Sequence, residues 1–157
     1  QNYDEKKFIS ISQANLDLDS EEEKKEIEEK TAENKDMLTA MKDALADKVK
    51  EVRISSRLID DPVCIVADEG VSLDMERYMA NDPMNKDRAI TATKILEINP
   101  NHPIFNKLHE VSTSSPDKLK EYTDVLYDQA LLIEGLPIKN PVEFAKKITN
   151  LIVDAKN

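Results

Sequence analysis

The sequence predicts an α+β domain in which a small three-stranded sheet is flanked by helices and followed by a helical end. Two observations predict it. Three short segments carry either the alternating period of strands or an unbroken apolar run of strand length. They lie among longer segments of helical period, many opened by Ser, Asn or Pro, so the order reads α, ββ, α, β, ααα. The 157 residues are enough for one domain, or for one domain carrying an extended arm.

Residues 1–19 hold an alternating run around Phe8, Ile9 and Ile11 that reads as a lone strand without an evident partner. From Ser20 the composition shifts to "SEEEKKEIEEKTAENK", with capping-box spacing between Ser20 and Glu23 and Ile27 as the sole large apolar residue; residues 20–47 therefore read as a solvated helix or a linker leading into the domain. Met37, Leu38, Met41, Leu45 and Val49 then fall at helical spacing, so from about residue 34 the helix has a face that can dock on a core. In "VKEVRISSRL", Val52, Ile54, Ser56 and Leu58 share one face of a strand. The turn "IDDP" leads into a second strand, "VCIVA", and "TKILEIN" makes a third that stops at Pro100. Between the last two lies "SLDMERYMANDPM", a short helix capped by Ser72 and ended before Pro83. Three helices follow, opened by His102-Pro103, Ser115-Pro116 and Asn140-Pro141, the second ending at Gly135.

Charge and cysteine usage exclude several functions. A net charge of −10 disfavours nucleic acid and anionic membrane surfaces, both of which require a basic face, and no run is long enough to span a bilayer. Two glycines are too few for a glycine-rich phosphate cradle. The one cysteine, Cys64, has no internal partner and reads as a reduced core residue, which fits a cytoplasmic setting. The chain starts at Gln1 without an apolar targeting segment, so it reads as processed or excised from something longer.

Chemistry-bearing residues are sparse. His102 and His109 are seven apart with no further ligand pair, so no metal site is expected, and His102 reads as a local hydrogen-bonding residue at a helix start. The pairs Asp60-Asp61 and Asp68-Glu69 sit in turns, where aspartate bonds its own backbone. No serine, histidine and acid are spaced as a catalytic set, so no catalytic residue is assigned; a small hydrolase would need Asp60, Asp61 or His102 to converge on a pocket. The two final helices are amphipathic, and their wide apolar faces could close the domain's own core, pack on a second copy in a four-helix bundle, or do both. In the short central helix, Met75, Tyr78 and Met79 share one face, open to a core reading or to an exposed, adaptable surface.

Five segments in order, "RLIDDPVCIVADEG", "MERYM", "KILEINPNHPI", "YDQALLIEG" and "NPVEFAKKITNLI", closely resemble the C-terminal domain of the ninety-kilodalton heat-shock chaperone family, bacterial HtpG type. The likeness runs from about Lys48 to Val153. It implies a small curved sheet, an exposed amphipathic helix and a C-terminal helical hairpin that forms a four-helix bundle across a homodimer, with residues 48–157 as the dimerisation domain and 1–19 as the end of a preceding middle domain or its junction strand. It implies dimerisation through Tyr122, Val125, Leu126, Gln129, Leu132, Ile133, Phe144, Ile148, Leu151 and Ile152, and binding of unfolded clients through Leu73, Met75, Tyr78, Met79 and Met84. It further implies that ATP and Mg belong to the N-terminal domain of a parent stress chaperone, so this segment has no cofactor and is not itself an enzyme. The ending "IVDAKN" lacks the acidic pentapeptide that recruits tetratricopeptide co-chaperones. The alternative is a non-chaperone interaction module built of acidic helices.

Overall fold

The computed structural model describes residues 2–3, 6–7, 21–85 and 90–155. Two short strands, β1 (Asn2–Tyr3) and β2 (Lys6–Lys7), pair antiparallel. The expected strand around Phe8, Ile9 and Ile11 lies outside the described residues.

The charged segment is helical, α1 (Glu21–Glu33), followed by α2 (Lys35–Leu45). The break between them falls at Asn34, whose amide donates to the Lys30 carbonyl at 2.8 Å while its oxygen lies 2.9 Å from Nδ1 of His109. Only α2 carries the apolar stripe, and Met37, Leu38, Met41 and Leu45 are buried accordingly. A 3₁₀ turn, Ala46–Lys48, reverses the chain into the sheet.

The sheet comprises β3 (Glu51–Ile54), β4 (Val63–Ala67) and β5 (Lys94–Ile98), in the order β3-β5-β4. β5 is central, parallel to β3 and antiparallel to β4. The first strand is shorter than the alternation predicts. After Ile54 the Ser55 hydroxyl accepts the N–H groups of Arg57 and Leu58, turning the chain before Ser56 can extend the ladder. The register aligns Val52 and Ile54 with Leu96 and Ile98, and these with Ile65 and Val63, so one face is continuous and apolar. Helices α2, α4 (Pro103–Ser114) and α5 (Pro116–Ile133) contribute to the core with that face, through residues such as Met41, Leu108 and Ala130.

The other face of the sheet is polar at its centre. Glu97, almost fully buried, accepts from Arg53 Nε at 2.8 Å and from Arg57 at 3.1 Å, and Cys64 sits beside it in the cross-strand register. Cys64 is thus free and half-buried, but on the face away from the main core. Asn99, fully buried at the end of β5, donates to the carbonyls of Ile59 and Asp61 and so holds the Asp60-Asp61 turn in shape.

Candidate functional site

Helix α3 (Leu73–Asn81) is set by local signals. The Ser72 hydroxyl accepts the Met75 N–H at 3.1 Å, and Asp74 and Glu76 lie in the first turn, where the helix dipole favours negative charge. The helical period divides it into two faces. Leu73, Glu76 and Arg77 are spaced i, i+3, i+4 and point inward or along the body; Met75, Tyr78 and Met79 repeat that spacing on the opposite side. Met75 and Tyr78 are exposed, Tyr78 by 68%, while Met79 is half-buried and Met84, beyond the helix, is 91% exposed. Leu73 departs from the expected exposed patch: at the first helical position it turns away from the methionine face and is buried in the core.

The inward face of α3 is held by a polar clasp that the sequence reading did not single out. The Glu76 carboxylate accepts Lys94 Nζ at 2.7 and 2.9 Å and the Ala92 N–H at 2.8 Å, and both Lys94 and Ala92 are buried. Arg77 donates to the Glu134 carbonyl at 2.6 Å and pairs with Asp74. The signal was present in "MERYM": a Glu-Arg pair on the side of a short helix opposite its methionines has to be accommodated by the body of the domain.

The second candidate surface is the pair α5 and α6 (Pro141–Asp154). Leu119, Leu126, Tyr127, Ala130 and Leu131 turn into the core, Val125 is buried outside that cluster, and Tyr122 and Gln129 are half-buried. Leu126 therefore belongs to the chain's own interior. Leu132 and Ile133, in the last turn, are exposed. In α6 the Asn140 side chain accepts the Glu143 N–H, and Lys147 reaches Asp124 of α5 at 3.0 Å. No residue of α6 is buried: Phe144, Ile148 and Leu151 are half-buried, and Val142, Ile152 and Val153 are at least 60% exposed.

The histidines and the Asp68 carboxylate make local structural contacts. His102 Nδ1 accepts the Ile104 N–H at 3.1 Å and caps α4, while His109 faces the α1–α2 break. Asp68 bonds Lys50 at 2.5 Å, which lowers the Asp68 pKa and raises that of Lys50. A cleft of about 610 Å³ between α2, β5 and α5 is lined by five lysines, but four are engaged: Lys42 with the Ala46 carbonyl, Lys48 over the Tyr127 ring, Lys50 with Asp68 and Lys94 with Glu76. Among the described residues no three His, Cys, Asp or Glu side chains form a metal-ligating group, and no helix is long and apolar enough to cross a membrane.

Residues 1–156 match the family described as Hsp90 protein. The chain belongs to the Hsp90 family. It is 46% identical over 151 residues to the chaperone protein HtpG of Bacillus subtilis (strain 168), which covers 96% of this chain and 24% of that protein. The HtpG of Oceanobacillus iheyensis is 47% identical over 152 residues, 97% of this chain and 24% of its own, and that of Clostridium perfringens 44% over 151 residues, 96% and 23%. The chain thus spans about a quarter of the length of these Hsp90-family relatives.

Proposed function

We propose that this chain is the homodimerisation module of a bacterial, cytoplasmic, ATP-dependent chaperone, and that it also holds non-native client proteins. The observation that carries the reading is α6, an amphipathic helix with no buried residue in the single chain and with Val142, Ile152 and Val153 exposed, as are Leu132 and Ile133 of α5. A second copy packing the same two helices against these would bury them in an isologous four-helix bundle. Tyr122, Gln129, Phe144, Ile148 and Leu151, each half-buried, supply the rest of that contact, whereas Val125 and Leu126 support it from within. Client holding falls to Met75, Tyr78, Met79 and Met84, because flexible thioethers on an exposed helix adapt to varied apolar segments. In this reading the nucleotide chemistry belongs to other parts of the parent protein, and this segment contributes association rather than catalysis.

Subunit exchange tests the first half: mixing donor- and acceptor-labelled preparations is expected to generate energy transfer, and none at concentrations of about 10 µM would overturn the dimer. Suppression of aggregation of a heat-denatured protein tests the second. Met75→Ser/Tyr78→Ser is expected to lose most of that suppression, and full retention would remove α3 from the client surface.

A further inference from the structure

A side-chain hydrogen bond joins the proposed client helix to the proposed dimer hairpin. Arg77 projects from the face of α3 opposite Met75 and Tyr78, and its guanidinium donates to the Glu134 carbonyl at 2.6 Å. Glu134 caps the C-terminus of α5, one residue after Ile133 and two after Leu132, both exposed. A cation there meets the negative end of the α5 dipole and one of its orphan carbonyls.

Gly135 closes the same corner. It adopts φ +70°, and a Cβ on it would lie 3.4 Å from Arg77 Cδ, so the backbone and the arginine pack directly. Glu76, the neighbour of Arg77, is fastened to buried Lys94 and to the Ala92 N–H. That anchor fixes one edge of α3 to the sheet, beside the Arg77 contact with the last turn of α5.

Resting on the function proposed above, we propose that Arg77 is a positioning residue that couples client binding on α3 to dimerisation through the α5–α6 hairpin. The contact forms only when α3 is docked and the last turn of α5 is wound. A client that holds α3 in its helical, docked form therefore favours the geometry in which Leu132 and Ile133 meet a second copy, and dimerisation favours the docked α3 in return.

The test measures the dimer dissociation constant of the labelled chain with and without saturating reduced, carboxymethylated α-lactalbumin as a non-native client. The wild-type chain is expected to dimerise more tightly with client by roughly fivefold or more, the lower range of site–site coupling. Arg77→Gln is expected to dimerise and bind client, with the two no longer linked. Arg77→Lys, which keeps the charge and one donor, is expected to restore part of the linkage, and far-UV circular dichroism checks that both variants keep the fold. Wild-type chain that dimerises and binds client with no linkage overturns the coupling alone, as does full linkage in Arg77→Gln. Wild-type chain that does neither overturns the function on which it rests.

Discussion

Glu97 and Cys64 show how one residue's environment sets another's chemistry. The Glu97 carboxylate, enclosed between β3 and β4, takes its charge balance from Arg53 and Arg57 and lies beside the Cys64 thiol. Burial first, and the Glu97 charge second, push the Cys64 thiol from 9.0 up to about 12; burial likewise raises Tyr127 from 10.0 to about 12. Between those values the unfolded chain releases protons that the folded chain retains. Their contribution to stability is therefore complete below about pH 9 and declines as pH rises toward 12. Denaturant titrations are expected to show unfolding free energy falling steadily from about pH 9 upward, with a shallower fall in Cys64→Ala, and a flat profile would contradict this environment. Ala46 offers a second residue-scale test. It sits at φ 48°, ψ −120°, a region that costs a residue with a Cβ, so Ala46→Gly is expected to raise stability by about 1 kcal/mol in the same titration; destabilisation would contradict that backbone.

At the scale of elements, α3 stands on its cap and its clasp. Ser72→Ala removes the acceptor for the Met75 N–H and is expected to lower stability by about 1 kcal/mol, with amide exchange accelerated chiefly in α3. Uniform acceleration across the sheet would show that the cap is not local to this helix. Helix α6 is the opposite case, an element whose apolar side chains outnumber the partners its own chain supplies. Ile152→Glu is expected to weaken dimerisation while leaving the helical circular dichroism intact, whereas Leu126→Glu, in the core, is expected to unfold the chain. If Ile152→Glu dimerised like the wild type, α6 would not line the interface. These elements were legible to different degrees. Caps at Ser72, His102 and Asn140 and the stop at Gly135 are local chemistry, and all four appear where the residue types predict. The burial of Leu73 and Leu126 and the Glu76–Lys94 and Arg77–Glu134 contacts depend on how helices pack on the sheet. Residues 18 and 57 positions apart meet there, which no local period encodes.

For the molecule as a whole, one sheet face builds the core, whereas apolar residues of α3, α5 and α6 stay exposed. That division supports the proposed function, in which the remaining apolar area recruits a second copy and clients. In the proposed function the α5–α6 hairpin of one chain closes on that of another. Multi-angle light scattering across a dilution series of the 157-residue chain tests it most directly. The predicted result is twice the chain mass at about 10 µM, falling toward the single-chain mass only on further dilution. A single-chain mass throughout the series would contradict it.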